Sequence, residues 1–307
     1  MAGHRGMVGA AIVRRLQGED CQLLTASRDQ LDLLREEAVD DWFAGHKPDA
    51  VFLAAAKVGG ILANDTYPVA FLEENLKIQT NVISAAHRHA VEKLVFLGSS
   101  CIYPRDAPQP IPEDALLTGP LEPTNQWYAI AKIAGIKLCQ AYRKEFGRDF
   151  VSAMPTNLYG PNDNFDLQTS HVLPALMRKI HDAKQSRAEE FEIWGSGKPM
   201  REFLHVDDCA DALVFILKHY SQDGHINVGS GSEISIADLA RMISDAVGYE
   251  GRMRRDLAKP DGTPRKLMDN RKLSALGWQP HISLEQGLAQ TYAWYLQHNV
   301  HGAGSTA

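Results

Sequence analysis

Through the first half of the chain, short apolar runs alternate with stretches of helical periodicity, and that alternation leaves few folds open. Residues 22–26, 50–56, 93–97 and 150–154 read as strands, and residues 36–44, 68–89 and 126–146 as helices. A strand, a crossover helix and a second strand give parallel pairing with right-handed connections. The expected architecture is therefore α/β, a doubly wound parallel (Rossmann-type) sheet. Turn formers at 155–161 (PTNLYGP) end the alternation. Beyond them lie helical patterns at 171–186, 207–220, 235–247 and 283–298 with short extended pieces between, as in a smaller α/β unit. The chain divides into residues 1–160 and 161–300, partly interleaved, with the small polar residues 301–307 expected as a disordered tail.

Glycines at 3, 6 and 9 have the G-x-x-G-x-x-G spacing. Such a loop turns tightly and lets backbone amides at a helix N-terminus approach a pyrophosphate. Val8, Ala11, Ile12 and Leu16 supply the inner face of the helix that follows. The fingerprint ordinarily follows a central strand, yet only two residues precede Gly3, so the first strand is expected to be missing and two ladder edges exposed. NAD enzymes usually carry an acid at the end of the second strand. Here Ser27 and Arg28 stand there, with Arg5 in the glycine loop. Two guanidiniums and a hydroxyl suit a 2′-phosphate, which predicts NADP(H); a solvated surface charge is the other reading of Arg28.

Tyr128 and Lys132 are four residues apart and share one helix face. A nearby ammonium is expected to lower the phenol's pKa, and Ser99 can share a carbonyl oxygen with that phenol. With a nicotinamide site this is carbonyl–alcohol redox chemistry. Cys101, two residues beyond Ser99, reads either as a tuned acid–base thiol or as a small buried hydrophobe. His171, at the start of a helical pattern, reads either as catalytic or as a surface or core histidine. His205 is expected to pair locally, and Asp207 and Asp208 to begin a helix. Lys179, Arg201, Arg252, Lys259, Arg265 and Lys266 are the cations available to an anionic substrate. Trp194 can stack on a base or sugar, or pack at a rim.

A net charge of −6 and a pI near 6.1 argue against a nucleic-acid partner. No apolar run reaches membrane-spanning length, so no membrane partner is expected, and no signal peptide opens the chain. The four cysteines, at 21, 101, 139 and 209, lack metal-ligand spacing. They suggest free thiols in a reducing compartment, hence a cytoplasmic protein.

The segments 2–9 (AGHRGMVG), 54–60 (AAAKVGG), 98–104 (GSSCIYP), 128–135 (YAIAKIAG), 155–161 (PTNLYGP), 195–197 (GSG), 200–208 (MREFLHVDD) and 259–266 (KPDGTPRK) converge on one family. The chain resembles the extended short-chain dehydrogenase/reductases and, within them, the GDP-L-fucose synthases. That resemblance implies conversion of GDP-4-keto-6-deoxy-D-mannose to GDP-L-fucose with NADPH, by epimerisation at carbons 3 and 5 and reduction of the 4-keto group. It implies Ser99, Tyr128 and Lys132 as the reductase triad, Cys101 as epimerising base and His171 as acid. It implies cofactor contacts from Gly3, Arg5, Gly6, Met7, Val8, Gly9, Arg28, Leu97, Gly98, Lys132, Pro155, Asn157, Leu158 and His171. Lys179, Trp194, Arg201 and Asp261 would contact the GDP-sugar, and the helices at 68–89 and 126–146 would join two copies as a homodimer. The alternatives are another sugar-nucleotide epimerase or reductase on the same scaffold, or a non-catalytic NADP-binding protein. A dehydratase is disfavoured because serine and cysteine stand where it carries acid–base carboxylates.

Overall fold

The computed structural model describes residues 1–259 and 261–300. The first half runs α1 (Met7–Leu16), α2 (Glu36–His46), β1 (Ala50–Leu53), α3 (Ile61–Thr66), α4 (Pro68–Arg88), β2 (Lys93–Leu97), α5 (Gln126–Phe146) and β3 (Asp149–Pro155). The second half runs β4 (Asn157–Tyr159), α6 (Val172–Ser186), β5 (Glu190–Trp194), β6 (Met200–His205), α7 (Val206–His219) and β7 (His225–Val228). It continues with β8 (Glu233–Ser235), α8 (Ile236–Val247), β9 (Arg252–Asp256), β10 (Arg265–Lys266), α9 (Arg271–Ala275) and α10 (Leu284–Tyr295).

Four parallel strands in the order β1–β2–β3–β7 form the main sheet. Successive side chains point to opposite faces, so each apolar run feeds two cores at once. Val51, Leu53, Leu94, Phe96, Phe150 and Met154 pack under α2, α4 and α5. Phe52, Val95, Leu97, Val151 and Ala153 pack on the other face, with Ile12 of α1 and Leu213 and Ile216 of α7. Helices on both faces of a parallel sheet make this a doubly wound α/β fold. β7 comes from the second half of the chain, so the halves interleave.

β6 lies between β4 and β10, both parallel to it, and also pairs antiparallel with β8; β5 and β9 form a separate parallel pair. Leu173, Met177 and Ile180 of α6 meet Leu239 and Ile243 of α8 and Leu288 of α10 in a third core.

Two expectations about strands are corrected. Residues 22–26 form no strand. Between them and β1 lie only Met1 and Ala2: the Met1 ammonium donates to the Leu24 carbonyl at 2.8 Å, and Ala2 bridges Leu53. Two residues cannot carry a ladder, so the segment forms none. β1 ends at Leu53, three residues before the expected end, and Ala54, Ala55 and Ala56 line the cavity described below. Residues 301–307 lie outside the described residues. Among those described, no helix is long and apolar enough to cross a membrane.

Candidate active site

A cavity of about 2140 Å³ opens along the C-terminal ends of the main-sheet strands, where open α/β sheets bind ligands. Every catalytic, cofactor and sugar-nucleotide contact implied by the family resemblance lines it.

The glycine loop forms one wall. Gly3 has φ +88°, and a Cβ there would lie 2.7 Å from the Ala55 amide nitrogen. A Cβ on Gly9 would stand 2.0 Å from the Gly3 carbonyl oxygen. Neither position accepts a side chain without moving backbone. Around Gly6, the N-cap of α1, space is open, with the nearest atom 3.6 Å from a Cβ. No side chain caps the first turn, so amides at Met7 and Val8 face the cavity without a side-chain acceptor. Arg5 and Arg28 are exposed on this wall, and among the described residues neither has an ion-pair partner. A diphosphate and a 2′-phosphate fit these donors. Arg28→Glu is expected to shift the NADPH/NADH preference toward NADH by roughly ten- to a hundredfold in kcat/KM; an unchanged ratio would put the 2′-phosphate elsewhere.

Behind the loop, β2 delivers Leu97, Gly98 and Ser99. Ser99 caps a short 3₁₀ turn, Ser100–Ile102, its Oγ accepting the Cys101 N–H at 3.4 Å, which turns the thiol into the cavity. Tyr128 and Lys132 arrive from the first turns of α5. Lys132 is buried, and its Nζ donates to the Leu97 carbonyl at 2.7 Å, beneath Phe96 (4.8 Å to the ring centre) and beside the Tyr128 ring (5.7 Å).

The expected lowering of the phenol's pKa is overturned for this state. Burial, reinforced by Cys101, pushes Tyr128 well above its ordinary value, while the Lys132 ammonium is bonded to the Leu97 carbonyl. The same burial brings Lys132 down to about 8. Cys101 is raised by burial. His171, the N-cap of α6, borders the cavity and is lowered by desolvation and by Lys266.

The opposite wall comes from the second half. Pro155, Asn157 and Leu158 continue from β3 into β4, and Asn157 Nδ2 donates to the Glu202 carbonyl at 2.8 Å. Lys179 and Lys259 flank Trp194, 5.1 and 5.4 Å from its ring centre. Among the described residues, Arg201 bonds the Met200 carbonyl alone, at 2.8 Å. Among the described residues, Lys179, Arg201, Lys259 and Lys266 form no ion pair. Cations that are not tied up in ion pairs make such a wall a candidate anion site. Asp261, on the same wall, accepts the Ser196 N–H and hydroxyl at 2.8 and 2.7 Å.

Two expected cations are absent from the cavity: Arg252 lies 3.8 Å from Glu189, and Arg265 pairs Glu233 at 2.8 Å. His205 is buried and accepts the Asp207 N–H at 3.3 Å, and Asp207 and Asp208 stand in the first turn of α7, both as expected; Asp208 also reaches across the fold to accept the His281 and Ile282 amides. Sequence reasoning missed Lys57, Asn64, Glu122 and Asn125, which also line the cavity. Asn125 had a usable signal: it stands three residues before Tyr128 on the same helix face, and its Oδ1 is buried without a partner.

Residues 1–229 match the NAD dependent epimerase/dehydratase family. The chain is 61% identical over 298 residues to GDP-L-fucose synthase 1 of Arabidopsis thaliana, covering 97% of this chain and 92% of that protein. It is 61% identical over 292 residues to GDP-L-fucose synthase of Sinorhizobium fredii, covering 95% and 93%. A solved GDP-L-fucose synthetase from Naegleria fowleri bound to NADP superposes with a TM-score of 0.90 at 31% identity, covering 97% of this chain and 92% of that one. The chain belongs to the NAD dependent epimerase/dehydratase family and, within it, to the GDP-L-fucose synthases.

Proposed function

We propose that this chain converts GDP-4-keto-6-deoxy-D-mannose to GDP-L-fucose with NADPH, inverting carbons 3 and 5 and then reducing the 4-keto group. One observation carries the reading: a single cavity joins a phosphate-binding glycine loop, the Ser99–Cys101–Tyr128–Lys132–His171 cluster and a wall of cations that form no ion pair among the described residues. In this assignment residues 1–160 hold the cofactor and 161–300 mainly the sugar nucleotide. Lys179, Arg201 and Lys259 take the diphosphate, Trp194 stacks on the base or sugar, and Asp261 orders the loop around Ser196.

When bound, NADPH supplies the hydride. Ser99 and Tyr128 hydrogen-bond the C4 carbonyl oxygen, which polarises it and acidifies the protons on carbons 3 and 5. Cys101 removes a proton from one face of each carbon, and His171 returns one to the opposite face. Rotation of the sugar brings the second carbon to the same pair. Tyr128 then gives its proton to the C4 oxygen during reduction, with Lys132 holding the Leu97 carbonyl and the phenol's surroundings in register. The outer faces of α4 and α5, with Val69 and Ile130 exposed, are the proposed contact with a second copy of the chain.

The test is NADPH oxidation with the ketosugar in deuterated water, the product read by NMR. GDP-L-fucose with deuterium at carbons 3 and 5 is expected. Oxidation without deuterium would reduce the assignment to a plain 4-reductase and remove Cys101 and His171 from it.

A further inference from the structure

The turn that follows β1, residues 54–60, is held from two sides. Buried Asn75 of α4 takes it in both directions, its Oδ1 accepting the Lys57 N–H at 2.9 Å and its Nδ2 donating to the Lys57 carbonyl at 3.0 Å. Buried Asn64 of α3 donates through Nδ2 to the Gly59 and Gly60 carbonyls at 2.8 and 3.0 Å. Buried carboxamides bonded to backbone in this way fix the turn in place.

The facing segment, 163–170 of the second half, is organised by Asp166. One carboxylate oxygen accepts the Gln168 and Thr169 N–H groups, each at 3.0 Å, and the Ser170 N–H returns to the Asp166 carbonyl at 2.9 Å. The two segments meet at buried Gly60, whose N–H donates to the Thr169 carbonyl at 2.9 Å. A Cβ on Gly60 would stand 2.9 Å from the Ser170 carbonyl oxygen and 3.0 Å from that of Thr169. Gly60 has φ −65°, a value any residue adopts, so glycine is required here by space and not by backbone conformation. The Ser170 carbonyl belongs to the planar peptide that carries the His171 nitrogen and Cα. Gly60, Ser170 and His171 all line the cavity.

We propose that Gly60 is a positioning residue for the epimerising half of the reaction: its lack of a side chain lets a fixed turn of the first half seat against the peptide that carries His171, which sets the place of the imidazole. This inference rests on the function proposed above. With the turn held by Asn64 and Asn75, an added methyl pushes the Thr169 and Ser170 carbonyls away, and the rigid peptide passes that displacement to His171. Ser99 follows β2 and Tyr128 stands on α5, and neither element takes part in the contact. A change at Gly60 therefore separates inversion, which needs His171, from hydride transfer, which needs Ser99 and Tyr128.

The test compares two half-reactions that share the cavity and the cofactor. Inversion is measured with the ketosugar and NADP⁺ in deuterated water at saturating substrate, and read by NMR after borohydride quenching. Hydride transfer is measured as initial oxidation of GDP-L-fucose by NADP⁺, the reverse of the reduction step. Gly60→Ala is expected to slow inversion about tenfold while oxidation stays within about threefold, since a misplacement of about 1 Å costs a reacting group up to about a hundredfold. Equal losses in both half-reactions would overturn the proposal and leave Gly60 with a role in stability alone; unchanged inversion would also overturn it. Asn64→Leu is the second variant should Gly60→Ala not fold, because it removes both bonds on the turn without adding bulk at Gly60. It is expected to slow inversion several-fold more than oxidation, and losses in equal proportion would overturn the proposal. A parent protein that oxidises GDP-L-fucose without inverting the ketosugar would instead overturn the functional reading, whereas failure of this inference alone leaves the parent's inversion intact.

Discussion

Tyr128→Phe is expected to slow NADPH-dependent reduction by roughly 10²–10⁴-fold, the usual scale of a positioned proton donor, while GDP-sugar binding changes little. The expectation follows from what surrounds the phenol. Burial keeps Tyr128 protonated, so its proton is available to the C4 oxygen, and Phe71 lies edge-on to its ring, fixing the ring's plane. Phenylalanine keeps that packing and loses only the hydroxyl. Normal turnover in the variant would remove the proton-donor role. The same site predicts a pH limit. Lys132 carries its charge below about 8, so activity that depends on the ammonium should fall as pH rises through that value. Stability runs the other way. The unfolded chain binds this proton more tightly than the folded one. The penalty of the buried ammonium is therefore full below about pH 8 and fades as pH rises toward the ordinary lysine value.

Cys101→Ser is expected to slow deuterium uptake at carbons 3 and 5 by at least about a hundredfold while NADPH binding stays within a few-fold. A hydroxyl is a far weaker acid than a thiol, and burial already disfavours the anion at this position. The 3₁₀ turn depends on the Cys101 backbone N–H reaching Ser99 Oγ, a bond the substitution leaves in place. Geometry is thereby held while the base is changed. Exchange at the parent rate would return Cys101 to a packing role.

Much of this was legible in the primary structure because it is governed by local period. β2 matches its expected span, as does α5, since a five-residue apolar run and a 21-residue helical pattern each have one compatible backbone state. Tyr128 and Lys132 share a helix face by spacing alone. Residues 22–26 failed for the complementary reason. A strand is defined by its neighbour, and Met1 and Ala2 offer too little backbone to pair with.

Sequence by itself determined the α/β class, the glycine loop, the shared helix face of Tyr128 and Lys132 and the cofactor preference, which follow from residue type and short-range spacing; on the residues alone Cys101 and His171 stayed open, and their proposed roles came from the family resemblance. Tertiary structure decided which charges face the cavity and what each titratable group experiences. Arg265 and Lys266 are adjacent in sequence, yet one meets Glu233 outside and the other lines the cavity. Lys132 is four residues from Tyr128, yet it bonds a carbonyl from β2 and leaves the phenol protonated. Hydrogen-bond partners and desolvation come from segments distant along the chain, and no local pattern encodes them.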